Sequence, residues 1–132
     1  MIGLDTNVLL RAFMIDEGKQ TVQARHLIAT RCSAADPGYV TCVVLAETVW
    51  VLEANYGYGR DAIAAAVAQL LETDDIMIEN RDIVHAALRN YAKHAVGFAD
   101  LLISSINRAA GCTATTTFDR KAAKLDGFEL VR

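Results

Sequence analysis

Ile2-Gly3-Leu4-Asp5-Thr6-Asn7-Val8-Leu9-Leu10 decides the fold, because within one short stretch it changes character twice. Ile2, Gly3 and Leu4 predict a brief buried strand. Asp5, Thr6 and Asn7 end it, and all three residue types favour the N-cap of a helix that continues from Val8 to Phe13. The same alternation recurs outward along the chain. A helix is expected over 19–32, a turn at Asp36-Pro37-Gly38, and a strand at 39–41 running into a helix over 42–56 that Gly57 stops. An Ala-rich helix over 60–72, a strand at 76–78 and a helix capped by Asn80 and running to 93 follow. Then come a helix over 98–110 closed by Gly111, a Thr-rich strand over 112–117, a short helix over 118–125 and a last strand at 128–131. Strands separated by one or two helices favour a parallel sheet with helices on both faces. The ligand crevice of such a sheet lies beyond the carboxyl ends of its strands.

The 132 residues suit one domain spanning 1–132, and 53 % hydrophobic content supplies a core without disulfide or metal staples. A net charge of −3 excludes a uniformly basic nucleic-acid binder but not a local basic rim around an acidic site. The longest apolar run, residues 62–68, falls far short of the ~20 that a membrane span needs. The start of the chain lacks the basic, apolar pattern of a secretory signal, so a cytoplasmic location is expected. Cys32, Cys42 and Cys112 have no metal-binding spacing and are expected as buried or half-buried reduced thiols. His26, His85 and His94 offer no zinc pattern either.

Four carboxylates break the pattern around them. Asp5 and Asp119 each follow a strand directly, while Glu47 and Asp100 sit in apolar helical company. Each has an ordinary reading: Asp5 and Asp119 as helix N-caps, Asp100 as a first-turn acid matching the helix dipole, Glu47 as a solvated side chain. Asp16, Asp36, Asp61, Asp74, Asp75 and Asp82 fall in turns or polar helix starts and are set aside on those grounds. The four together read differently, because a parallel sheet brings them to one edge. At ~5 Å and an effective dielectric of ~20, each ionised pair costs about 3 kcal/mol, which a divalent cation relieves. An all-oxygen set favours Mg²⁺ or Mn²⁺, and such cations on open carboxylate sites serve phosphate-ester hydrolysis. No Gly-rich phosphate loop and no Ser-His-Asp spacing is present.

Leu4-Asp5-Thr6-Asn7-Val8-Leu9, Val44-Leu45-Ala46-Glu47, Phe98-Ala99-Asp100-Leu101-Leu102-Ile103 and Thr117-Phe118-Asp119-Arg120 occur in that order. Together they resemble the PIN-domain ribonucleases, and specifically the VapC-type toxins of bacterial toxin–antitoxin pairs. The resemblance covers essentially the whole chain, including Leu125-Asp126-Gly127-Phe128. It implies an α/β fold, a three-layer α/β/α sandwich on a central parallel sheet of four to five strands. It also implies an acidic pocket of Asp5, Glu47, Asp100 and Asp119 holding Mg²⁺ or Mn²⁺, with Asp5 and Asp100 as the direct ligands. By the same similarity Thr6, Asn7 and Thr117 orient the acids or contact phosphate. Many relatives carry an acid three residues before the third aspartate, where this chain has Gly97, which puts a second cation in doubt.

The activity implied is endoribonuclease cleavage by metal-activated water, leaving 5′-phosphate and 3′-hydroxyl ends. The partners implied are RNA, a cognate antitoxin and a second copy of the chain, within a larger assembly. Arg11, Arg120, Lys121 and Lys124 lie near the acids in sequence and are candidates to grip the RNA backbone, or else solvated surface charges. Trp50 and Tyr56 are expected as core and edge packing rather than base-stacking rings. Two other readings compete. An aspartyl phosphatase built on Asp5 fits poorly, because Asn7 stands where its second acid belongs. A non-catalytic protein-interaction module with a PIN-like fold would use the acids only as caps.

Overall fold

The computed structural model describes residues 1–13 and 18–132; Asp16, set aside above as a turn acid, lies outside them. The chain runs β1 (Ile2–Gly3), α1 (Thr6–Phe13), α2 (Lys19–Arg31), β2 (Gly38–Val40), α3 (Cys42–Ala54), α4 (Arg60–Glu72) and β3 (Ile76–Ile78). It continues through α5 (Arg81–Lys93), α6 (Phe98–Ala109), β4 (Thr115–Thr117), a 3₁₀ turn (Ala122–Lys124) and β5 (Phe128–Leu130). All strand pairs are parallel, as helical crossovers require.

The strands form two sheets rather than the single one expected: β1-β2-β3 and β4-β5. The reason lies at β1 and β4. β1 is two residues long, so its free edge offers too few backbone groups to hold β4, which pairs with β5 instead. β4 is also tied to α6 through a side chain, Asn107 Nδ2 donating to Thr115 Oγ1 at 3.0 Å.

The core follows the register. Ile2 pairs with Gly38 and Gly38 with Ile76, so Leu4, Val40 and Ile78 form the next row on the same face, all buried. Leu9 and Leu10 of α1, Leu45, Val49 and Leu52 of α3, Ile63, Val67 and Leu71 of α4 and Val84 and Ala87 of α5 close over it. Phe98, Leu101 and Leu102 of α6 complete the cluster. Ile63 and Val67 are therefore core, whereas Val43 of α3 is surface.

Four local expectations need correction. Trp50 is 62 % exposed, because α3 is apolar nearly all round and its pattern does not say which face turns inward. Cys112 is exposed, on the turn between α6 and β4, while Cys32 and Cys42 are buried. The helix expected over 118–125 shrinks to the 3₁₀ turn, leaving Phe118 82 % exposed. Asn80 precedes α5 in the left-handed region at φ 50° and makes no side-chain capping bond; its carbonyl accepts from Ile83 and Val84 instead. No helix among the described residues is long and apolar enough to cross a membrane.

Candidate metal and phosphodiester site

Carrying the register one residue forward sets Asp5, Thr41 and Glu79 side by side just past the carboxyl ends of β1, β2 and β3. Each of them serves the start of a helix. Asp5 Oδ1 accepts from the Thr6 N–H at 2.8 Å, at the N-terminus of α1. Thr41 Oγ1 accepts from the Val44 N–H at 3.1 Å and caps α3. Glu79 Oε1 accepts from the Cys42 N–H at 2.8 Å, satisfying a second free donor of the same helix. Glu79 was missed from sequence, although its signal matches that of Asp5: an acid placed directly after an apolar strand.

Glu79 also acts on Cys42. Burial first, and then the neighbouring carboxylate, push the Cys42 thiol up to about 11, so it stays protonated and unreactive at neutral pH.

Glu47 is exposed on α3, one face with Val43 and Trp50 at helical spacing. Asp100 is exposed in the first turn of α6, whose N-cap is Gly97. A Cβ built on Gly97 would sit 3.5 Å from Asp100 Oδ2, so the carboxylate folds back over the helix N-terminus. Asp119 lies just ahead of the 3₁₀ turn. Its Oδ1 accepts from the Lys121 N–H at 2.8 Å, and its own N–H donates to Thr117 Oγ1 at 3.0 Å. Asp5 Oδ1 thus meets the first N–H of α1, as a capping acid does, whereas Asp119 closes a local turn and is not the N-cap of a helix, the 3₁₀ turn having Lys121 in that place. Oδ2 of each makes no hydrogen bond among the described residues.

The elements bearing these acids are successive neighbours: α1 packs on α3, α3 on α6, and α6 on β4. Among the described residues, no three His, Cys, Asp or Glu side chains stand close enough to hold a cation as they are. The donor set still suits Mg²⁺ or Mn²⁺. It is all oxygen, and such ions keep several waters and need only one or two direct carboxylates.

Thr6 is buried, and Asn7 is exposed beside Arg11 in a groove of about 500 Å³ between α1 and α2. Lys124 lines a different groove, of about 660 Å³, with Ser104 and Arg108 of α6. Arg120 and Lys121 are exposed beside Asp119. The four basic candidates therefore do not share one rim. Neither of the ion pairs among the described residues, Met1 with Asp36 and Arg108 with Asp126, involves a site acid.

Residues 2–128 match the family described as the PIN domain. The chain is also 27 % identical over 128 residues to a protein named VapC ribonuclease from Aquifex aeolicus (strain VF5), covering 97 % of this chain and 93 % of that relative.

Proposed function

Because the chain belongs to the PIN-domain family, we propose that it is a Mg²⁺- or Mn²⁺-dependent endoribonuclease, the toxin of a type II toxin–antitoxin pair. The observation that carries this reading is the succession of packed elements α1, α3, α6 and β4, each bearing or bordering one of the four acids. The near full-length similarity to a VapC ribonuclease supports it.

Asp5 and Asp100 are assigned the direct contacts to the cation, and Glu47 and Asp119 the water around it. When bound, Mg²⁺ or Mn²⁺ supplies the positive charge that polarises a phosphoryl oxygen and makes water acidic enough to attack. The protein's part is placement. The Thr6 N–H fixes Asp5 and the Lys121 N–H fixes Asp119, leaving a second oxygen on each for the site. Thr117 orients Asp119 through its backbone, while Thr6 and Asn7 hold the approach beside Asp5. Arg11, Arg120, Lys121 and Lys124 are assigned to the RNA backbone, Arg11 beside Asn7, Arg120 and Lys121 beside Asp119, and Lys124 beside Arg108. Attack by water in line with the leaving 3′-oxygen does not use the 2′-hydroxyl, so the products carry 5′-phosphate and 3′-hydroxyl ends.

Residues 1–132 act as one domain in the cytoplasm, paired with a second copy and with an antitoxin that covers the acids. The test is cleavage of RNA with and without Mg²⁺ or Mn²⁺, beside Asp5→Asn and Asp100→Asn, with end-group analysis. Cleavage only with the cation, lost in both variants, is expected. Metal-independent cleavage, full activity in both variants or cyclic-phosphate ends overturn the mechanism. No cleavage at all favours the non-catalytic interaction module. Expression in a bacterial host is expected to arrest growth, and Asp100→Asn to relieve the arrest.

A further inference from the structure

Arg60 is the first residue of α4, away in sequence from the site acids, yet its guanidinium meets three backbone carbonyls at once. Its Nη2 shares two N–H bonds among the carbonyls of Tyr91 (2.8 Å), His94 and Val96 (2.8 Å). The first two lie at the C-terminal end of α5, where carbonyls lack helical partners and a cation is favoured. The third lies in the crossing that leads to Gly97 and α6. The guanidinium also stands 3.8 Å from the centroid of the Tyr91 ring.

Tyr91 carries the contact further. Its ring meets Phe98, the first residue of α6, edge to face at 5.5 Å, and its hydroxyl donates to Glu53 Oε1 at 2.6 Å. Glu53 belongs to α3, the helix of Glu47, and Phe98 is two residues before Asp100. Both rings are buried, so neither can shift without opening the core. One cluster of side chains thus fastens the helix of Glu47 to the start of the helix of Asp100. Asp100 itself is exposed and makes no hydrogen bond or ion pair among the described residues, so its backbone decides where its carboxylate stands.

We propose that Arg60 is the positioning residue for the acidic site: by holding the crossing between α5 and α6 it sets Asp100 against Glu47 for the divalent cation. This rests on the reading of those acids as a cation site. Arg60 touches neither cation nor substrate. A lysine keeps the charge, but its stem is shorter and its ammonium does not lie flat on the Tyr91 ring as the guanidinium does, so it replaces the contact only in part.

The test compares Arg60→Met, which keeps length and loses donors and charge, with Arg60→Lys, both checked for folding by circular dichroism. Three quantities are read: Mn²⁺ affinity by calorimetry, kcat and KM on RNA, and hydrogen exchange over residues 94–101. For Arg60→Met the expectation is faster exchange over 94–101, Mn²⁺ affinity and kcat each lowered about tenfold, and little change in KM for RNA. Arg60→Lys recovers most of that loss. A folded Arg60→Met with wild-type Mn²⁺ affinity and kcat overturns the proposal, as does unchanged exchange over 94–101. If Arg60→Met fails to fold, Arg60→Lys decides, and its equality with wild type in all three quantities overturns the proposal. If the wild-type protein itself neither binds Mn²⁺ nor cleaves RNA, the assigned function falls, and with it the placing of Asp100 for a cation. Exchange over 94–101 then still separates a clamp that holds from one that does not.

Discussion

Gly38→Ala tests how the carboxyl edge of the sheet is held. Gly38 opens β2, the central strand, which is hydrogen-bonded to β1 on one side and β3 on the other, so its backbone has nowhere to retreat. A Cβ there would stand 2.9 Å from Cys32 Sγ, 3.0 Å from Leu4 Cδ1 and 3.2 Å from Leu4 Cγ. Cys32 and Leu4 are both buried, at 7 % and 4 % exposure, so neither can swing into solvent. Overpacking of this kind costs about 1–3 kcal/mol, and the lower chain entropy of unfolded alanine returns about 0.4–1 kcal/mol. A net loss of about 1–2 kcal/mol follows, a fall in Tm on the order of 5 °C. Urea unfolding with an unchanged m-value measures it. The same substitution in a Cys32→Ala background loses the tightest contact, and its cost there should fall by about 1 kcal/mol. Because Leu4 precedes Asp5, RNA cleavage should fall as well. A loss within ~0.5 kcal/mol, the range of an ordinary surface change, or an equal loss in both backgrounds refutes the reasoning.

Gly127→Ala should cost about 1–2 kcal/mol, because φ there is +95°. The loss should persist with Arg108→Ala, since the 2.9 Å contact to Arg108 Nη2 involves only the end of a flexible side chain; recovery in the double variant would show that the clash mattered instead. A thiol reagent should modify one cysteine quickly in the native protein, exposed Cys112, and all three after unfolding; rapid reaction of two or more in the native state contradicts the burial of Cys32 and Cys42. Stability should decline as pH rises from 9 to 11: unfolded Cys42 loses its proton from about its ordinary value of 9.0, whereas the folded thiol holds it to about 11. Tyr91, raised by burial and by its bond to Glu53, acts in the same direction from pH 10 upward. Unfolding titrations across that range should show a shallower decline in Cys42→Ala, and identical slopes would remove Cys42 as a cause.

Local signals carried most of the fold into the sequence. Helix 60–72 is found with its expected ends, because Gly59 precedes an amphipathic run and Thr73 leaves it extended. Helix α3 begins where expected but ends at Ala54, before Gly57, whose φ of +64° turns the chain toward Tyr58. What the sequence did not carry is lateral. Whether β4 joins β1 depends on a few backbone bonds at a two-residue strand, and no periodicity encodes that choice. The outward turn of Trp50 is equally silent, since an apolar helix names no buried face.

The candidate site shows the same division in a more consequential form. Asp5 and Asp119 were legible because an acid after a strand stands out; Asp5 also meets the first N–H of α1, the capping role that competed with a site role, while Asp119 bonds within its own turn. The two roles are compatible, because a cap uses one carboxylate oxygen and fixes the orientation of the other. That compatibility changes the weight of the alternatives, since seeing a cap no longer counts against a ligand. Glu79 marks the opposite case: the same sequence signal, an acid after an apolar strand, with Oε1 bonded to the Cys42 N–H across the sheet. Asp5 and Glu79 are therefore indistinguishable by local sequence. What separates them is the helix each one serves. Asp5 caps the helix that follows it, as a local N-cap does. Glu79 instead crosses from β3 to start α3, a contact between residues 37 apart that only the sheet register brings together. Its Oε1 is thereby committed to seating the helix that bears Glu47.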